Sequence, residues 1–114
     1  MIGGSIAAFV LSSTPAHAAT KTYKMVASWY EMGHRTADGT HFDPNDPTIA
    51  AHKSLPFGTK LDVMNPDTGT TISMIVRDRG PFIKGRDLDV SRGAAKKLGF
   101  YNKGVTLLHV TVHS

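Results

Sequence analysis

Asp78 is the residue whose type and setting most invite chemistry: it ends an apolar run and stands directly before Arg79-Gly80-Pro81. A carboxyl group at a strand end beside a Gly-Pro turn can be held rigid and partly dehydrated. Partial burial raises a carboxyl pKa, which makes such a group a usable general acid near neutrality. The same position also suits an acid that only accepts turn hydrogen bonds or pairs with Arg79. Asp87 and Asp89 flank Leu88 and so point the same way off a strand. Asp89 stands two residues before Ser91, a candidate helix cap, so helix-start hydrogen bonding competes with a catalytic reading. A second carboxylate in the cleft of Asp78 would match glycosidic chemistry, where acidic groups flank one bond. Trp29 and Tyr30 end the first strand, and an aromatic at a cleft rim stacks on the apolar face of a sugar ring. Trp29, the only Trp, suits the core equally well, and alternation sends one of the pair inward and the other outward.

Other chemistries find less support. His34, His41 and His52 are spaced by 7 and 11 residues, there is no Cys, and no compact zinc-ligand spacing occurs. No metal site and no cofactor is expected. His109 and His113 share a parity in the last strand or tail, as surface or rim residues do. No Gly-rich phosphate loop and no nucleophile elbow is present.

These residues need a small, turn-rich scaffold. Tyr23, Met25, Ala27 and Trp29 alternate with Lys24, Val26 and Ser28, which predicts a strand. Residues 33–47 read as a long loop, and Thr48 to His52 as a helical turn. A strand over 60–64, the turn Asn65-Pro66-Asp67-Thr68-Gly69 and a strand over 71–77 predict a hairpin. Leu88 and Val90 mark a short strand. Ser91 then caps a helix running to Leu98, with Ala94, Ala95 and Leu98 on its buried side and Gly99 closing it. The last strand runs from Val105 to Val112. Several short strands with one helix predict a mainly β, small closed barrel.

Composition bounds the possibilities. The chain has 114 residues, 13 Lys+Arg against 9 Asp+Glu, 6 His, 11 Gly and 6 Pro. That is room for one domain, and 40% hydrophobic content is not that of a disordered chain. The +4 charge favours anionic partners, but no basic stripe marks a nucleic-acid binder. Residues 1–18 carry an apolar run, Ile6 to Leu11, a break at Ser12-Ser13-Thr14-Pro15, then Ala16-His17-Ala18. This pattern is expected to be a secretory signal cleaved after Ala18, although no Lys or Arg precedes the run. Residues 19–25 are then a lead-in and 26–114 the domain. The run is too short to span a bilayer. A periplasmic or secreted monomer is expected, and with no Cys it has no lipid-anchoring site.

Taken together, the motifs resemble the rare lipoprotein A (RlpA) family of bacterial envelope proteins. The matching stretches are Ala27-Ser28-Trp29-Tyr30, then Arg35-Thr36-Ala37-Asp38-Gly39 with Phe42-Asp43. Ala50-Ala51-His52-Lys53-Ser54-Leu55-Pro56-Phe57-Gly58-Thr59 follows, then Val76-Arg77-Asp78-Arg79-Gly80-Pro81-Phe82 and Asp89-Val90-Ser91-Arg92-Gly93-Ala94-Ala95. Order and spacing hold over about residues 26–112. The resemblance implies a six-stranded double-psi β-barrel with one or two short helices, related to expansins. It implies a lytic transglycosylase that cleaves peptidoglycan between N-acetylmuramic acid and N-acetylglucosamine in strands stripped of stem peptides, leaving 1,6-anhydro ends. It places the acid/base on Asp78, a second acidic position on Asp89, and groove positions on Thr36, Asp43 and His52.

One carboxylic acid suffices for that reaction. It donates to the glycosidic oxygen, then takes the proton of the C6 hydroxyl as that oxygen closes on C1. A stripped muramic acid exposes its lactyl carboxylate, for which Arg79, Arg35 or Lys53 are candidate partners. The chain departs from the family pattern at Thr40, where many relatives have Glu, and at Glu31, where Gly is common. No C-terminal peptidoglycan-binding repeat is recognisable. The alternative is a non-catalytic, expansin-like glycan-binding or wall-loosening barrel with the same groove. A third reading is an exported barrel that binds a protein partner.

Overall fold

The computed structural model describes residues 20–113. The leader reading at residues 1–18, with Ala16-His17-Ala18, lies outside the described residues. Within them the order is β1 (Thr20–Tyr30), β2 (Ile49–His52), β3 (Lys60–Met64), β4 (Thr71–Asp78), β5 (Leu88–Ser91), α1 (Arg92–Leu98) and β6 (Val105–His113). The strands close into a barrel in the order β1-β5-β2-β4-β3-β6. β1 pairs with β5, and β2 with β4, in parallel; the other pairs are antiparallel. Closure leaves no free sheet edge, which lets a small cysteine-free chain satisfy its strand hydrogen bonds internally.

Alternation decides what faces inward. Met25 and Ala27 of β1, Leu61 and Val63 of β3, Met74 and Val76 of β4, and Leu88 and Val90 of β5 meet in one core. Leu108, Val110 and Val112 of β6 complete it. The outer positions between them carry the polar residues, Ser28, Asp62, Ser73 and Asp89 among them. The β3–β4 hairpin is as the sequence predicts: the Asn65 amide oxygen accepts from the Asp67 N–H, and Gly69 turns the chain at φ 76°. β1 pairs with β6 from Thr20 opposite His113 to Ser28 opposite Val105.

The helix also forms where expected. The Ala94 N–H donates to Ser91 Oγ at 3.2 Å, and Gly99 closes the helix at φ 87°. Asn65 Nδ2 and Thr68 Oγ1 both donate to the Leu98 carbonyl, which anchors the helix end on the hairpin turn. Ala94, Ala95 and Leu98 are buried.

One expectation is corrected. Thr48 to His52 is not a helical turn; Ile49–His52 is β2. Ile-Ala-Ala carries a weak local preference. Its state is set by the strands on both sides, since β2 hydrogen-bonds to β4 and to β5.

Candidate active site

Asp78 reaches the outer face of the barrel through a break in register. Ala50 of β2 lies opposite Val76 of β4, but Ala51 lies opposite Asp78, so Arg77 is an extra residue in β4. Met74 and Val76 point into the core. Strict alternation would send Asp78 inward after them; the bulge turns it outward instead. The carboxylate is then held on both oxygens. Oδ1 accepts from the N–H groups of Ala37 and Arg79, each at 2.9 Å, and Oδ2 accepts from the Tyr30 hydroxyl at 3.0 Å. The turn that follows has Gly80 at φ 127° and a cis Gly80–Pro81 bond.

Asp89 stands across Ala51 from Asp78. Ala51 is in register with both acids, and Asp89 is in register with Ser28 of β1. The Ser28 hydroxyl donates to Asp89 Oδ1. Burial raises the Asp89 pKa, against the lowering effects of the Ser28 hydroxyl and the Arg86 charge, and the Asp78 charge adds to the rise. The tool of selection here is β5 alternation: Leu88 and Val90 are core, so Asp89 must face out.

The loop over residues 35–41 folds against the end of β4. The Thr36 and Thr40 hydroxyls and the Thr40 N–H all donate to Asp38 Oδ1, and Arg77 Nη1 lies 3.4 Å from Asp38 Oδ2. Burial would raise the Asp38 pKa, but these hydrogen bonds and the Arg77 charge overcome it and hold it at about 2. The Asp38 N–H donates to the Arg77 carbonyl, which ties the loop to the bulge residue and delivers the Ala37 N–H to Asp78. Thr36 is buried in this loop, organising Asp38. Asp43 is exposed and accepts from the Asn45 N–H within its own turn.

His52 follows Ala51. Its Nδ1 accepts from the N–H groups of Ser54 and Leu55, each at 3.1 Å, so its neutral form carries the proton on Nε2. Burial first, then the Arg79 charge, lowers its pKa and favours that neutral form. Arg79 Nη1 donates to the Leu55 carbonyl at 2.8 Å and the His52 carbonyl at 3.3 Å, and its guanidinium lies 4.0 Å from the Phe57 ring centroid. Arg35 donates to the Gly39 carbonyl, and Lys53 is exposed. Glu31 pairs with Arg92 at 2.9 Å.

Trp29 and Tyr30 separate as alternation requires. Tyr30 lies on the outer side with Ser28 and reaches Asp78. Trp29 lies on the core side: it packs against the core, stacks on Tyr101 with ring centroids 4.7 Å apart, and donates from Nε1 to the Tyr101 carbonyl. The structure thus joins Asp78, Asp89 and Tyr30 around Ala51, with the Arg79 N–H on Asp78; His52, in register with the core residue Leu88, meets Arg79 only through its backbone carbonyl. It does not bring Trp29 to that surface. Sequence reasoning missed Ser28, Ala51 and Asp38. Ser28 was legible in principle, because it shares the outer parity of Tyr30.

A cavity of about 520 Å³ lies elsewhere, over β3, the first half of β4 and the end of β6. Asp62 sits there between Ser73 Oγ at 3.0 Å and His113 Nε2 at 2.6 Å, and hydrogen bonds from His113 and Ser73 lower its pKa. With the acid in the middle, no base reaches the hydroxyl, so this is not a nucleophilic triad.

A family model described as lytic transglycolase matches residues 22–110. The chain belongs to the lytic transglycolase family. A relative from Aquifex aeolicus, a probable endolytic peptidoglycan transglycosylase RlpA, is 48% identical over 82 residues, covering 69% of this chain and 36% of that protein. A Synechocystis protein of the same description is 46% identical over 83 residues, covering 70% of this chain and 26% of that protein. This family member thus spans roughly a quarter to a third of the curated relatives it matches. Among solved structures, an apo expansin of Clavibacter michiganensis superposes with a TM-score of 0.65 at 25% identity, covering 82% of this chain and 50% of that one. The fold of this transglycolase-family chain is the double-psi β-barrel that its motifs imply.

Proposed function

We propose that the chain is a lytic transglycosylase barrel of the bacterial envelope that cleaves the bond between N-acetylmuramic acid and N-acetylglucosamine in stem-peptide-free peptidoglycan. The observation that carries this reading is the bulge at Arg77, which turns a fully hydrogen-bonded Asp78 onto the outer face beside Asp89. The descriptions of the relatives as peptidoglycan transglycosylases support the same substrate.

Asp78 in its protonated form donates to the glycosidic oxygen as the bond from C1 breaks. The C6 hydroxyl oxygen closes on C1, and its proton passes to the Asp78 carboxylate. The acid is regenerated, a 1,6-anhydro ring forms, and no water is consumed. Asp89, Thr36, Asp43 and His52 are the further positions the family resemblance assigns to the site; Trp29 and Tyr30 are aromatic candidates for it, and Arg79 is a candidate for the lactyl carboxylate. Of these, Asp89 is the group beside Ala51 that can hold a sugar hydroxyl, through its Oδ2. Lys53, Arg35 and Arg79 are the cations available to the lactyl carboxylate. Charge reversal at all three weakens pelleting on stripped strands; unchanged pelleting removes that assignment.

The deciding experiment is a digest of stripped peptidoglycan analysed for anhydro-muropeptide ends. Wild type yields them, and Asp78→Asn lowers the yield by at least about 100-fold, the range lost with a general acid. The expansin-like fold and Thr40 in place of an acid favour a second reading, a glycan-binding barrel without turnover. That reading requires no product from wild type with retained pelleting on glycan. Failure to pellet at all removes both.

A further inference from the structure

We propose that Tyr30 is a positioning residue that divides the labour between the two oxygens of Asp78: Oδ1 is the fixed anchor, and Oδ2 carries the proton. The inference rests on Asp78 being the acid/base of the proposed reaction. The two oxygens have different partners. Oδ1 receives two backbone N–H groups, from Ala37 and Arg79. Backbone N–H groups only donate, so a proton on Oδ1 would face two donors and forfeit a hydrogen bond. Oδ2 receives a hydroxyl, which donates or accepts according to its rotation. It can donate to the ionised carboxylate and remain bonded when Oδ2 is protonated. Oδ2 is therefore the oxygen that tolerates both protonation states of the cycle.

Tyr30 is built to hold that hydroxyl in place. Its ring stacks on Phe42 with centroids 4.8 Å apart and an interplanar angle of 5°. Phe42 is itself 3% exposed, and its N–H donates to the His34 carbonyl. One face of the Tyr30 ring is thus covered by protein, which fixes the plane of the ring and the position of its hydroxyl. Burial, then the Asp78 charge, raises the Tyr30 pKa, so the phenol keeps its proton throughout the reaction. The proton that moves runs from Oδ2 to the glycosidic oxygen, and the proton that replaces it comes from the C6 hydroxyl to Oδ2. Tyr30 neither gains nor loses one.

The test compares wild type, Tyr30→Phe and Asp78→Asn on stripped glycan strands. Tyr30→Phe keeps the ring against Phe42 and removes only the donor. It is expected to lower kcat about 10- to 100-fold, somewhat less than the roughly 100- to 1000-fold lost with a donor to the reacting oxygen itself, with KM and melting temperature unchanged. Tyr30→Phe at wild-type kcat beside an inactive Asp78→Asn overturns the positioning role alone. A raised KM at wild-type kcat assigns Tyr30 to substrate contact instead. Full turnover by Asp78→Asn, or none by wild type, overturns the acid/base reading, and with it the catalytic part of this one. The contact itself is read without turnover, from the ¹³Cζ chemical shift of Tyr30 at neutral pH, which reports a hydrogen bond to a charged acceptor. The shift moves in Asp78→Asn, where the acceptor is neutral; an unmoved shift overturns the pairing.

Discussion

Asp78 on β4 and Asp89 on β5 are both in register with Ala51 of β2, so the two carboxylates flank a single methyl group. Their Cα atoms are two strand spacings apart, roughly 10 Å. Ala51 is 2% exposed, and its neighbour Ala50 faces the core. The floor between the acids is thus a single methyl group, closed to solvent by its surroundings.

Ala51→Leu places an isobutyl group on that floor. It is expected to cut kcat/KM at least about tenfold by displacing substrate from Asp78, a misplacement of about 1 Å being enough for more. Overpacking costs about 1–3 kcal/mol of stability. Digestion kinetics beside a urea melt separate the two effects. Unchanged kcat/KM would show that the glycan does not cross Ala51.

Asp89→Asn is expected to gain on wild type in stability as pH rises. The folded-state pKa of Asp89 is raised, chiefly by burial. The folded state therefore binds this proton more tightly than the unfolded one. That contribution is fully present below the unfolded value, about pH 4, and is lost as pH rises through the folded pKa. Asn keeps an acceptor for the Ser28 hydroxyl and does not titrate. Urea melts at pH 4 and pH 7 check the sign; wild type gaining on the variant at pH 7 would reverse it.

Asp38 behaves the other way. Its pKa is held at about 2, so its contribution is present above about pH 4 and lost as pH falls toward 2. The full shift corresponds to roughly 2 kcal/mol or a little more, which solvent screening at this surface site reduces to about 1–2 kcal/mol. Asp38→Asn should be less stable than wild type at neutral pH by about that amount, and the gap should close between pH 4 and pH 2. A gap that stays constant in acid-melt curves would mean that the loop over 35–41 is held by other contacts.

Gly93→Ala should destabilise the protein although Ala is the better helix former by about 1 kcal/mol. A Cβ at Gly93 would lie 2.3 Å from the Asn45 carbonyl oxygen and 2.7 Å from its carbon. The Gly93 N–H also donates to the Pro44 carbonyl at 2.8 Å, so the loop cannot retreat without losing that bond. A loss of about 2 kcal/mol or more is expected in thermal or urea melts. A neutral result would show that the 43–46 loop is free to shift.

Much of the barrel was legible residue by residue. A period-two run marked β1, the turn at 65–69 marked the β3–β4 hairpin, and Ser91 and Gly99 marked both ends of α1, because these signals act within a few residues of chain. β2 was not legible, since Ile-Ala-Ala takes its state from β4 and β5. Trp29 and Tyr30 were legible as facing opposite ways, but not which faced the site.

The sequence by itself determined the family, the barrel class and Asp78 as the residue to watch, because motif spacing and alternation are properties of the chain. Only the tertiary structure decided that Asp78 faces outward. The run Ile72, Met74, Val76 points the next even position into the core, and the extra residue at Arg77 appears only when β4 pairs with β2. Tyr30 and Asp78 are 48 residues apart, and their hydrogen bond exists because the barrel closes. Register and closure are relations between strands, and no local propensity encodes them.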